Sequence, residues 1–144
     1  MKVLNFGSMN LDYVYQMDHI LIPGETQTSV GREIFCGGKG LNQSIALAKA
    51  GVPVYHACTL GDGAELLLEA CRENGVNTQL IRRISGPCGH TVIQVDKDAQ
   101  NCILLYGGSN RQITREYVDQ VLAHFEKGDI LLLQNEINEL DYII

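Results

Sequence analysis

No apolar run in this sequence approaches the roughly 20 residues of a membrane-spanning helix. The opening Met1-Lys2-Val3-Leu4-Asn5-Phe6-Gly7 turns polar too soon for a secretion signal. The five cysteines, Cys36, Cys58, Cys71, Cys88 and Cys102, are widely and irregularly spaced, and no C-x-x-C occurs. This argues against a disulfide framework or a zinc site and predicts reduced, mostly buried thiols in a cytoplasmic protein. Basic clusters are missing too. Arg82-Arg83 is the only adjacent pair among 11 Lys and Arg, against 17 Asp and Glu, for a net charge of −6. Nucleic acids and anionic membranes both attract clustered positive charge, so neither is an expected partner.

Several motifs are also lacking. Gly38-x-Gly40 and Gly61-x-Gly63 do not continue to G-x-G-x-x-G, which removes the dinucleotide fingerprint. Gly38-Lys39 looks like the end of a phosphate-binding loop. However, Glu33 stands where that loop needs Gly, and Gly40 where it needs Ser or Thr. There is no G-x-S-x-G and no H-E-x-x-H. His19, His56, His90 and His124 have no metal-ligand spacing and read as surface or satisfied core groups. No repeat, low-complexity tract or linker divides the chain.

What is present fits one folded domain, or part of a larger one. The chain has 144 residues, 45% hydrophobic and 19% charged. Lys2 to Gly7 reads as a buried strand, and Tyr13 to Met17 as a second one. Pro23-Gly24-Glu25-Thr26 is a turn, and Thr28 to Cys36 a half-exposed strand. Leu41, Ile45 and Ala48 share a face of a helix that Gly51 ends. Val52 to Leu60 reads as one strand, Gly61-Asp62-Gly63 as a loop, and Ala64 to Glu73 as a helix stopped by Asn74-Gly75. Thr91 to Asp96 and Asn101 to Tyr106 form a hairpin. Thr114 caps a helix running to about Glu126, with Gly128 beyond it. Asp129 to Leu133 is a buried strand, and Asn138 the cap of a further helix. Alternating strands and helices imply an α/β fold with a mostly parallel sheet. The last βα unit has no return strand, so the chain is expected to be the N-terminal part of a longer protein.

Four segments carry chemical possibilities. Asn10-Leu11-Asp12 follows the first strand, where α/β sheets bind ligands, but Asx residues there also form turns. Gly37 to Gln43 leads glycines into a helix N-terminus, where free N–H groups attract oxygen-rich ligands. It also reads as a plain strand-to-helix turn with a solvated Lys39. Gln134-Asn135-Glu136 ends a strand, and Glu136 is either a ligand-binding carboxylate or a helix N-terminal charge. The strands at 13–17, 28–36, 91–96 and 101–106 make either a lid or a peripheral sheet.

Taken together, these segments resemble the ribokinase (PfkB) family of carbohydrate kinases. The resemblance runs through Gly7-Ser8-Met9-Asn10-Leu11-Asp12, Pro23-Gly24-Glu25-Thr26, Gly37-Gly38-Lys39-Gly40-Leu41-Asn42-Gln43-Ser44, Gly61-Asp62, Gly107-Gly108-Ser109-Asn110 and Leu133-Gln134-Asn135-Glu136. It implies a ribokinase-like α/β fold with a small β-sheet lid, within one unit spanning 1–144. It also implies ATP-dependent phosphorylation of a ribose-like or fructose-like sugar by the parent enzyme. By motif position, Asn10, Asp12, Gly38, Lys39, Asn42 and Glu136 become sugar contacts, and the lid a homodimer contact. The family's G-A-G-D and N-x-x-E strings are absent. ATP, Mg2+ and any monovalent cation are therefore expected on a missing C-terminal half, and this chain alone is expected to be inactive. After Gly61-Asp62 the chain departs from the family pattern, with Gly63-Ala64-Glu65-Leu66. A non-catalytic sugar-binding or dimerising module is the alternative. A sugar-responsive regulator is a third reading.

Overall fold

The computed structural model describes residues 1–144. In chain order the elements are β1 Val3–Phe6, β2 Asn10–Gln16, β3 Gly31–Gly37, α1 Lys39–Lys49, β4 Val54–Ala57, β5 Thr59–Asp62 and α2 Glu65–Glu73. There follow β6 Arg82–Pro87, β7 Gly89–Val95, β8 Asn101–Tyr106, α3 Arg115–Leu122, β9 Ile130–Leu133 and α4 Leu140–Ile143. A 3-10 turn spans Gly108–Arg111.

β1 is the centre of a parallel three-stranded sheet in the order β4-β1-β9. It is buried on both faces, as its run of large apolar residues requires. One face packs Val3 against Leu41 of α1, Leu67 and Cys71 of α2, and Leu60. The other packs Leu4 and Phe6 against Tyr117, Val118 and Val121 of α3. Both helix faces are amphipathic at the helical period, which is why they dock here. The Thr114 hydroxyl accepts the Tyr117 N–H and caps α3. The second sheet is mixed, ordered β3-β2-β7-β8. β2 pairs antiparallel with β3 and parallel with β7, and β7–β8 is a hairpin closed around Asp96–Gln100.

Several local expectations change. Val52 to Leu60 is not one strand: β4 and β5 part at Cys58 and enter different sheets, and Gly61-Asp62 extends β5 rather than forming a loop. β5 pairs with β6, which the sequence did not mark. β9 lies at a sheet edge with Ile130 and Leu131 half-exposed, so it is not a fully buried strand. α3 ends at Leu122, four residues early, in tighter turns at His124 and Phe125. Asn138 is not a helix cap. Its amide instead brackets the backbone of Ile113, at 3.0 and 2.8 Å. All five cysteines are free thiols. Cys58, Cys71 and Cys88 are buried, while Cys102 is exposed.

His56 on β4 is fully buried. Its Nε2 lies 3.1 Å from the Gly7 carbonyl and its Nδ1 2.7 Å from the Ser44 hydroxyl. A carbonyl only accepts, so Nε2 carries the proton and Nδ1 accepts from Ser44. Burial pulls the imidazole from 6.5 to about 4, against the opposing pull of the Gly7 carbonyl. A lowered folded value means the neutral form is favoured on folding. This contribution is complete above pH 6.5 and is lost as pH falls through about 4, for about 3 kcal/mol in total. Denaturant unfolding between pH 7 and 5 should therefore show a loss of stability that a His56→Gln variant lacks. Equal slopes for the two proteins would contradict a buried neutral His56.

Candidate functional site

β1 and β9 run parallel and end level, with Phe6 beside Leu133. The chain leaves them as Gly7-Ser8-Met9 and Gln134-Asn135-Glu136, at the carboxyl edge where α/β sheets open for ligands. The second sheet rises directly from this edge, because β2 starts only four residues after β1 ends. A cavity of about 200 Å³ lies in the angle, lined by Asn10, Leu105, Gly107, Asn110, Arg111, Asn135 and Glu136. Only Leu105 is apolar, so the wall suits a hydroxyl-rich ligand better than a greasy one.

Asn10 and Asp12 lie within β2, two residues apart on one face, and not in a turn after β1. Pairing with Gly37 on one side and Gly89 on the other holds Asn10 extended. Asn10 Oδ1 accepts from Asn110 Nδ2 at 2.7 Å. Asp12 Oδ1 accepts from the Thr91 hydroxyl at 2.6 Å. Its other oxygen lies over Gly37, where a Cβ would sit 2.0 Å from it. A side chain at position 37 would occupy the space in front of this carboxylate.

Gly38 takes φ +94° at the start of α1, and a Cβ there would meet the backbone of Ser8 and Met9. Lys39 Nζ pairs with Glu136 Oε1. Glu136 Oε2 also accepts the Ser8 hydroxyl at 2.6 Å and the Lys39 N–H at 3.2 Å. Burial alone would raise the Glu136 carboxyl. The hydrogen bonds from Lys39 and Ser8 outweigh it and hold the group below its ordinary value. Asn42 sits on the exposed side of the first turn of α1. The structure thus joins Gly38, Lys39 and Glu136 in one contact group and sets Asn10 on the same cavity wall as Glu136. Asp12 stands one β2 step further out, and Asn42 remains apart.

The helix N-terminus itself is not open. Lys39 N–H goes to Glu136, Gly40 N–H to the Ser8 hydroxyl at 3.3 Å, and Leu41 N–H to the Ser8 carbonyl at 2.9 Å. The expected cradle of free N–H groups is filled by the chain's own oxygens. The sequence pattern did not mark Ser8, Thr91, Asn110 or Arg111 as site-building residues, and it marked Gln134 only as part of the segment that ends in Glu136. Ser8 and Asn110 stand inside strings that carried the resemblance, which was the available signal. Arg111 lies back over Gly107, where a Cβ would sit 2.7 Å from its Cγ. No cluster of three or more His, Cys, Asp or Glu side chains is placed to hold a metal. No helix is long and apolar enough to cross a membrane.

A parallel sheet flanked by helices, with a cavity of amides and one carboxylate at its edge beneath a second small sheet, is the architecture of a ribokinase-like α/β protein. The chain belongs to the pfkB family of carbohydrate kinases, whose pattern matches residues 1–140. A ribokinase of Haemophilus influenzae is 34% identical over 133 residues, covering 90% of this chain and 44% of the relative. The crystal structure of a ribokinase from Thermotoga maritima superposes with a TM-score of 0.86 at 36% identity, covering 95% of this chain and 46% of that one. A ribokinase of Arabidopsis thaliana, solved with ribose and ATP, gives a TM-score of 0.78 at 28% identity, covering 94% and 46%. The chain spans less than half the length of these relatives.

Proposed function

We propose that this chain supplies the sugar-binding half and the lid of an ATP-dependent sugar kinase acting on a ribose-like or fructose-like substrate. The observation that carries this reading is that Asn10 and Glu136 share one cavity wall at the sheet edge, with Lys39 paired to Glu136 and Asp12 one step further out along β2. Sugar hydroxyls donate and accept together. Carboxylates at Asp12 and Glu136 take their protons, while the Asn10 amide and the Lys39 ammonium donate to their oxygens. Gly38 admits the ligand close to the backbone. Asn42, on the exposed first turn of α1, is assigned to the sugar as well, although it stands apart from the other contacts.

The sheet β3-β2-β7-β8 acts as the lid over this edge. Closing it removes water from around the sugar, which protects a phosphoryl donor from hydrolysis. The donor is ATP. The residues of this chain do not fit its machinery, because they bring together no magnesium-binding carboxylate set and no G-A-G-D turn. ATP, Mg2+ and a monovalent cation are therefore assigned to chain outside these residues. The protein carrying this chain should consume ATP in the presence of ribose or a related sugar. A panel of pentoses and ketohexoses in a coupled ADP-release assay tests this, and no ATP turnover with any of them would defeat it.

The lid also carries the proposed homodimer contact. All six residues of β8 are exposed, including Ile103, Leu104, Leu105 and Tyr106. An apolar edge strand of this kind is normally covered by a partner. Leu104→Glu should turn a dimer into a monomer in light scattering. An unchanged mass would remove the lid from the interface.

A further inference from the structure

The Ser44–His56 pair has the spacing of a nucleophile and its base, but both residues are wholly buried, so no substrate reaches them. Its hydrogen bonds lead elsewhere. Ser44 Oγ accepts from Asn5 Nδ2 at 2.9 Å, and the second proton of that amide goes to the Gly40 carbonyl at 2.8 Å. Asn5 Oδ1 accepts from Gln134 Nε2 at 2.7 Å, and the other Gln134 proton goes to Gln43 Oε1 at 2.8 Å. Gln134 Oε1 accepts the Ser8 N–H at 3.1 Å. Ser8 then donates its hydroxyl to Glu136. With His56 neutral, each amide and hydroxyl in this series has one consistent orientation. No buried side-chain polar atom of the chain lacks a partner.

We infer that Asn5, Ser44, His56 and Gln134 form a positioning relay that fixes Ser8 and the first turn of α1, and through them Glu136, for the sugar. Its role in sugar binding rests on the function proposed above. Four elements meet in the relay: β4 through His56, α1 through Ser44, β1 through Asn5, and the end of β9 through Gln134. Buried polar groups are costly unless fully paired, and fully paired ones rigidify what they join. Apolar side chains would fill the same space between α1 and the sheet without that cost. What the polar set adds is orientation. Asn5 holds the Gly40 carbonyl while Ser8 holds the Gly40 N–H, and Gln134 holds the N–H of Ser8 itself. Ser8 and Lys39 N–H are in turn two of the three groups that aim the Glu136 carboxylate. These are positioning residues, since none of them touches the cavity.

The test is a double-mutant cycle in the full protein that carries this chain. Ser44→Ala is compatible with a helix interior and cuts the relay between His56 and Asn5. It should weaken ribose binding by calorimetry about 5- to 20-fold, in line with one buried hydrogen bond left unmade. In a Glu136→Gln background the same change should cost less than about 2-fold, because the relay acts through Glu136. Additive losses, or full affinity in a folded Ser44→Ala protein, would overturn the relay. If Ser44→Ala does not fold, the same cycle run with Gln134→Leu decides. A second readout does not need sugar. In carbon-13 NMR, Ser44→Ala should raise the Glu136 titration midpoint, as the hydrogen bond from Ser8 loosens. An unmoved midpoint counts against the relay. A parent protein that binds no sugar but shows this shift would refute the sugar reading and keep the relay.

Discussion

Replacing Asp12 by Asn should lower kcat/KM for the sugar by about 100-fold or more, with little change in unfolding temperature. Asp12 makes one side-chain bond within the chain, from Thr91, and no ion pair. Its second oxygen faces the space kept clear by Gly37. A hydrogen bond to a charged group contributes about 1.5–3 kcal/mol, and a carboxylate takes two hydroxyl protons where an amide offers one acceptor and a misplaced N–H. Loss of about 3 kcal/mol corresponds to somewhat more than 100-fold. Because the same contact forms before and during phosphoryl transfer, the loss should fall mostly in KM. Steady-state kinetics of the full protein, with circular dichroism to verify folding, separates the outcomes. Parent-like kinetics would remove Asp12 from the sugar site.

The parts of this fold legible in the sequence were those set by local pattern. β1 announces itself by Val3, Leu4 and Phe6 in the four residues between Lys2 and Gly7, and α1 by Leu41, Ile45 and Ala48 on one face. The β7–β8 hairpin shows in two apolar-rich runs around a polar turn. What was not legible depends on distant partners. The change of sheet at Cys58 leaves no mark, because buried residues run without a break from His56 through Cys58 to Gly61. β6 is hidden by Arg82-Arg83 at its start and Gly86-Pro87 at its end, residues that usually signal surface and turn. Asn138 has the composition of a cap, but Ile113, 25 positions earlier, takes its amide.

The candidate site divides along the same line. Its glycines and its charged residues could be read from Gly37 to Gln43 and from Gln134 to Glu136. The closure of the α1 N-terminus could not. Ser8 and Glu136, which seal it, lie 128 positions apart. Asn10 and Asp12 were legible as polar groups near the end of β1. Their extended backbone was not, because Gly37 and Gly89 impose it through strand pairing. Local composition named the functional groups, and long-range pairing determined which of them face one another.

Gly40→Ala should destabilise the fold by about 3 kcal/mol, although alanine is normally the better helix residue by about 1 kcal/mol. Position 40 is in the first turn of α1 and fully buried. A Cβ there would lie 2.5 Å from the Ser8 nitrogen and 2.6 Å from the Gly7 carbonyl carbon and the Ser8 carbonyl oxygen. All three are backbone atoms, and none can turn aside. The Ser8 N–H is held by Gln134 and its carbonyl by Leu41. Relief therefore requires α1 to lift from the sheet, which weakens the packing of Leu41 against Val3 and Leu60. Overpacking of this kind costs about 1–3 kcal/mol, and the lost helix contacts add to it. For a chain of this size the midpoint of thermal unfolding should fall by about 10 °C. Gly37→Ala provides the contrast. Its nearest obstacle is the free end of Asp12, so that variant should keep its stability while losing sugar affinity. The two glycines lie three positions apart, yet one supports the docking of α1 and the other keeps the Asp12 carboxylate accessible. Differential scanning calorimetry and sugar titration on both variants distinguish these roles, and a Gly40→Ala protein as stable as its parent would show that α1 does not rest on Ser8.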